Sequence, residues 1–152
     1  MKYCTLFFLL LAACHFHPLY QPKQMAEVCV SDIPDKLGYD LKHQLKVYFP
    51  ETKNCRYTLS VQTPLVAFSD QSISNKDFVT VQRITAKAHF SLLDAKKKKL
   101  LSNAVYTDGS SAVVQNPYST IVSTQKTTQN LLPLLAEQIA LQVTAFLDQD
   151  NK

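Results

Sequence analysis

Tryptophan is absent and glycine is nearly so, occurring only at Gly38 and Gly109 among 152 residues. Two isolated glycines cannot build the glycine-rich loops that cradle phosphates, so nucleotide-binding signatures of that kind are excluded. Histidine is limited to four positions. His15 and His17 have an H-x-H spacing with no third ligand nearby, His43 falls on a predicted helix and His89 on the outer face of a predicted strand, so no metal set assembles. Acidic residues are scattered through turns and termini, and no nucleophile stands beside a base, so the chain reads as a non-enzyme without a cofactor. A net charge of +4 is too mild to argue nucleic-acid binding from the total. No segment after the N-terminus reads as the run of about 20 apolar residues that a membrane span needs.

What is present is an ordered N-terminal signal. Lys2 precedes the apolar run from Leu6 to Leu11, which closes on Ala12, Ala13 and Cys14. Charge, apolar stretch and small residues in that order make a secretory signal, and the run is too short to stay as an anchor. An ordinary cleavage site would want a small residue where Leu11 stands. Leu11-Ala12-Ala13-Cys14 instead resembles a lipobox, in which the cysteine thiol receives a diacylglyceryl group, the peptide is cut before the cysteine and the new amine is acylated. Two or three chains, at about 0.8 kcal/mol per buried methylene, hold a protein at a bilayer where one chain would not. His15 in place of aspartate fits routing to the outer membrane.

Removal of residues 1–13 leaves 139 residues, the size of one domain. Residues 14–24, with Pro18 and Pro22, read as a lipidated tether. The single domain is expected over 25–148, with a flexible tail at 149–152. Once Cys4 leaves and Cys14 carries lipid, Cys29 and Cys55 remain. An oxidising compartment would let them pair. However, Cys55 falls in phase with Tyr57, Leu59 and Val61, while Cys29 falls out of phase with Val28 and Val30, so the bridge stays open.

Met25 to Val30 reads as a strand. Asp32 is a candidate helix cap, and Leu37, Leu41 and Leu45 predict a helix from about Pro34 to Tyr48. Alternation from Arg56 to Gln62 predicts a half-buried strand, and the polar segment Asp70 to Asp77 a loop. Val79 and Val81 alternate in one phase and Ile84, Ala86, Ala88, Phe90 and Leu92 in the other, the trace of a β-bulge near Gln82 and Arg83. Lys96 to Lys99 form a turn before a partner strand from Leu100 to Tyr106. Asn116 caps a last helix with Pro117 at its first position, and its stripe runs through Ile121, Gln125, Thr128, Leu132, Leu135, Ile139, Val143 and Phe146, strengthening toward the C-terminus. Pro133 predicts a kink there or a restart capped by Asn130. The fold class is α+β, a two-layer sandwich with one four-stranded sheet and two helices on one face, in the order β-α-β-β-β-α.

Four adjacent lysines, Lys96, Lys97, Lys98 and Lys99, repel one another, so a fold tolerates them more readily where they meet an anionic partner. By alternation Arg83, Lys87 and His89 share the outer strand face, extending a basic strip toward that tip. Lipid A phosphates would suit such ammonium groups. A solvated turn that protects a sheet edge is the alternative.

Cys14-His15-Phe16-His17-Pro18-Leu19-Tyr20 resembles the Cys-x-Phe-x-Pro-Leu-Tyr start of LptE-type LPS-assembly lipoproteins, especially those of alphaproteobacteria. Arg83-Ile84 heading a long strand, Asn116-Pro117-Tyr118-Ser119 before a long helix, and Leu134-Leu135-Ala136-Glu137-Gln138-Ile139 inside it are similar to that family in order and spacing. The resemblance implies an outer-membrane lipoprotein, facing the periplasm or a barrel lumen, that plugs an LptD-type β-barrel, assists its assembly and contacts LPS during transport. A scaffold or auxiliary subunit of another envelope transporter would share the lipobox, and a periplasmic hydrolase would need a nucleophile beside a base. Lys96, Lys97, Lys98, Lys99, Arg83 and Lys87 are contact candidates from charge placement.

Overall fold

The structure, a computed structural model, describes residues 25, 27–73, 79–113 and 116–150. The signal 1–13, Cys14 and the tether through Gln24 lie outside the described residues. In chain order the elements are β1 (Val28–Val30), α1 (Asp35–Tyr48), β2 (Tyr57–Val61), β3 (Leu65–Ile73), β4 (Val79–Asp94), β5 (Lys99–Ala112) and α2 (Pro117–Asp150). Two helices cover one face of a mixed sheet, the α+β class expected from the periodicities.

The sheet has five strands where four were expected, and β3 is the addition. Asp70, Gln71, Ser72 and Ile73, read as the start of a loop, belong to it. Its pattern is hard to read because β3 lies on an edge, where Leu65 and Phe68 stay 65% and 52% exposed and no clean alternation develops. The register explains its place. Val61 faces Phe90 and Leu65 faces Lys87, so Gln62, Thr63 and Pro64 oppose only Ala88 and His89. That extra residue is a bulge, placed where Pro64 has no N–H to give to a ladder. β2 and β3 thus run as one broken strand along one edge of β4, while β5 takes the other edge and β1 adds in parallel to β2. The slip read at Gln82 and Arg83 lies in the pairing of β4 with β3. β4 keeps unbroken register with β5 from Val81 to Leu92, whereas against β3 Gln71 is an extra residue opposite Val81 and Gln82, and Thr80 is an extra residue of β4 between Val79 and Val81.

Alternation along β4 points Ile84, Ala86, Ala88, Phe90 and Leu92 inward, and all five are buried. Leu41 and Leu45 of α1 and Leu132, Leu135, Ile139 and Val143 of α2 meet most of that row, with Met25 and Phe49 closing the core. α1 begins at Asp35, and Asp32 does not cap it. Pro34 occupies the cap position without a side-chain hydrogen bond, and the Asp32 carboxylate accepts instead from Lys42 at 2.6 Å.

α2 begins as expected, with the Tyr118 N–H donating to Asn116 Oδ1 at 3.0 Å. It does not restart at Asn130 but runs through Pro133 to Asp150, so Gln149 and Asp150 are helical where a tail was expected. Pro133 is tolerated because it faces solvent while Leu131, Leu132 and Leu135 carry the packing. Contrary to the sequence reading, α2 is by length and composition sufficient to cross a bilayer, yet half of its apolar stretch is buried inside the fold, as in a core helix.

Cys29 and Cys55 form a disulfide, with Cα atoms 5.5 Å apart. The phase argument against it fails because Cys55 precedes β2 and lies in an exposed connection, where strand alternation does not apply.

Candidate functional site

The lysine turn is built around one carboxylate. Asp94 ends β4, and its Oδ1 accepts the N–H groups of Lys96 and Lys98, each at 2.8 Å. Its backbone carbonyl accepts from Lys97 N–H at 2.9 Å, and its own N–H donates to the Lys98 carbonyl at 3.0 Å. Lys97 adopts a left-handed backbone (φ 61°), which closes the turn. With the backbone held this way, Lys96, Lys97, Lys98 and Lys99 are all exposed. Arg56 lies at the same end of the sheet, next to Tyr57, which pairs with Asp94. Sequence reading missed Arg56, because only the register of β2 on β4 brings it there.

Arg83, Lys87 and His89 share the uncovered outer face, as alternation required, and all three are exposed. The structure brings His89 near the turn, in one cleft of about 380 Å³ with Lys99, and leaves Arg83 and Lys87 apart from it. Lys87 stands seven residues before Asp94, about 24 Å along β4, with His89, Ser91 and Leu93 between. The outer face is also not purely basic. Asp108 sits opposite Thr85, whose hydroxyl donates to its carboxylate at 2.6 Å, midway between Arg83 and Lys87. Lys87 pairs with Leu65 on one side and Tyr106 on the other, both 65% exposed, so its ammonium rises between two solvent-facing apolar groups. Those two residues were not singled out in the sequence, since each becomes an outer-face neighbour only through strand pairing.

Two of the clefts that line α1 have charged or apolar walls. One of about 510 Å³ lies beside the disulfide and is lined by Val30, Lys42, Lys46, Phe49, Thr52 and Lys53. Two of its lysines are already paired, Lys42 with Asp32 at 2.6 Å and Lys46 with Glu51 at 2.7 Å. The Lys42 hydrogen bond and charge hold Asp32 below its ordinary pKa, Lys46 does the same to Glu51, and Glu51 raises Lys46. The second, about 430 Å³, is lined by Leu37, Phe68, Ile121 and three threonines. Neither holds a nucleophile beside a base, and among the described residues no His, Cys, Asp or Glu group could hold a metal ion.

The fold, a sheet covered by two helices on one face, is similar to those of several bacterial proteins described as lipoproteins. The chain is similar to a Caulobacter crescentus protein described as a lipoprotein, at 16% identity and TM-score 0.64, covering 84% of this chain and 95% of that one. It is similar also to rare lipoprotein B of Shewanella oneidensis (12% identity, TM-score 0.63, 82% and 96% covered) and to a minor lipoprotein of Acinetobacter baumannii (20%, 0.60, 79% and 92%). No family model and no curated protein matches the sequence.

Proposed function

We propose that the protein is an outer-membrane lipoprotein, anchored through Cys14, that serves as a non-catalytic component of the LPS translocon. In this reading it associates with an LptD-type β-barrel, assists its assembly and meets LPS phosphates through cationic side chains. The fold supports it, being shared with proteins named as lipoproteins, rare lipoprotein B among them. The observation that carries the lipid contact is the Asp94-braced turn, which holds four ammonium groups in solvent at one end of a rigid sheet. Lysine binds phosphate as a point charge and needs no deep pocket for it. Lys87, between Leu65 and Tyr106, offers a second, amphiphilic contact suited to a phosphorylated lipid.

Mild detergent extraction followed by co-purification tests the partner. A large outer-membrane β-barrel is expected. An inner-membrane transporter in its place would move the protein to the auxiliary-subunit reading. LPS binding is tested on a chain lacking residues 1–14, which keeps the whole observed core because that core spans Met25 to Leu147. Replacing Lys96, Lys97, Lys98 and Lys99 together by glutamine should weaken binding, and wild-type affinity should fall with salt, since exposed charges are screened beyond about 8 Å at physiological ionic strength. Unchanged affinity under both conditions would return the lysines to a solvated turn.

A further inference from the structure

The end of the sheet that carries the lysine turn is also the end at which the chain arrives from its N-terminus. Val28 stands opposite Tyr57 and Tyr57 opposite Asp94. At about 4.8 Å per strand spacing, the first residue of β1 lies roughly 10 Å from the base of the turn. Arg56 is one residue beyond that row. Its N–H donates to the Glu27 carbonyl at 2.9 Å, and its guanidinium lies 5.2 Å over the Tyr57 ring. The opposite end of the molecule, at Val79, is fifteen residues away along β4, about 50 Å. From Cys14 to Met25 the chain has eleven residues to spend, at most about 40 Å when fully extended.

We infer that this end rests on the bilayer, with Lys96, Lys97, Lys98, Lys99 and Arg56 against anionic phospholipid headgroups of the leaflet that holds the Cys14 lipid, and with β4 rising away from the membrane. The inference rests on Cys14 being the anchor, not on LPS contact. The lipid alone fixes where the chain is tethered and not which end of the domain faces the leaflet. The cationic end supplies the second signal. Two of the carboxylates beside it are engaged, Asp94 by two N–H groups of the turn and Glu27 by Arg56 at 3.7 Å. The Gln142 side chain meets Asn103 at 2.8 Å, so the last turns of α2, with Asp148, reach this end on the helix-covered side. Headgroup attraction fades within a Debye length, so the turn feels it while Arg83 and Lys87, about 24 Å or more up the strand, do not. Tyr118 and Ile121, both more than half exposed, are held away from the leaflet at the far end.

The absence of tryptophan makes the test direct. Ala95→Trp, at an exposed turn position, and Tyr118→Trp, at the opposite end, each place a single fluorophore in the full lipidated protein. Reconstituted in vesicles of phosphatidylcholine and phosphatidylglycerol containing a headgroup-nitroxide lipid, Ala95→Trp is expected to be quenched at least twofold and Tyr118→Trp to remain bright. Glutamine at Lys96 to Lys99, or 0.5 M salt, should remove that difference while the protein stays on the vesicles. Equal quenching at both ends, or quenching at Ala95→Trp that ignores the lysines, overturns the orientation. Protein left in the supernatant overturns the anchor reading and this inference with it.

A second measurement does not depend on the turn accepting tryptophan. The chain lacking residues 1–14 should sediment with phosphatidylglycerol-containing vesicles and not with pure phosphatidylcholine, and the four-glutamine variant should lose about a hundredfold or more in partitioning. Vesicle binding without LPS binding would sink the translocon reading and leave this one. LPS binding without vesicle binding would do the reverse.

Discussion

Gly38 is buried on α1 against the segment that leads into the helix. A Cβ added there would lie 2.6 Å from Ile33 Cγ2 and 3.0 Å from its backbone carbon and oxygen. Gly38→Ala should therefore lower stability by about 1 to 3 kcal/mol, although alanine favours a helix by about 1 kcal/mol elsewhere. Urea midpoints read the sign, and a stabilised variant would show that the approach can relax. The disulfide closes a separation of 26 residues around α1, so Cys29→Ser with Cys55→Ser should cost about 3 kcal/mol, chiefly by freeing the unfolded chain. The surface pairs Asp32–Lys42 and Lys46–Glu51 set a pH dependence of known sign. Both carboxyl pKa values are lowered, so their contribution is present at neutral pH and lost as pH falls through their depressed folded-state values. Asp32→Asn with Glu51→Gln should flatten the acid limb of a stability profile slightly, and an unaltered limb would assign it to other groups. The sequence offered Cys29 and Cys55 as a pair without deciding it, and neither the Gly38 approach to Ile33 nor the two ion pairs could be read, because each depends on how the chain folds back at an end of α1.

Along α2 the periodic stripe was legible and the packing follows it from Leu132 onward, with Leu135 and Ile139 fully buried, whereas Ile121, assigned to the same stripe, stays 63% exposed. Alanine at either should cost about 2 to 5 kcal/mol, whereas alanine at the exposed Gln138 should cost under about 0.5 kcal/mol. Equal melting temperatures for the two kinds of variant would contradict the observed face. At the hairpin the four-glutamine variant should fold as well as wild type or slightly better, since the bonds that shape the turn come from Asp94 and the backbone. Far-UV circular dichroism with a melting curve checks this before any binding result is interpreted. β3 escaped the sequence reading for a reason that also gives it its place: it is stitched to β4 only beyond the bulge at Pro64, and its outward residues meet solvent.

For the whole molecule, Cys14→Ser should release the mature domain from membranes or leave an unprocessed precursor, and an unmodified N-terminus by mass spectrometry on the wild-type protein would end the lipoprotein proposal. The domain was legible where burial imposes a period. Leu41 and Leu45 every fourth residue, Ile84 to Leu92 every second, and the α2 stripe each mark a face that must leave water, whatever it packs against. Local chemistry was equally legible at the Asn116 cap and at the lysine turn, since their bonds join residues within four positions. What only tertiary structure decided is everything set by register between distant strands. The bulge at Pro64 puts two strands on one edge of β4, and the parallel pairing of β1 with β2 brings Cys29 to Cys55. Pairing also sets Lys87 between Leu65 and Tyr106 and brings the N-terminal chain to the cationic end. Periodicity states which side of an element is buried, whereas which strands become neighbours depends on loop closure and on the fit of several elements at once.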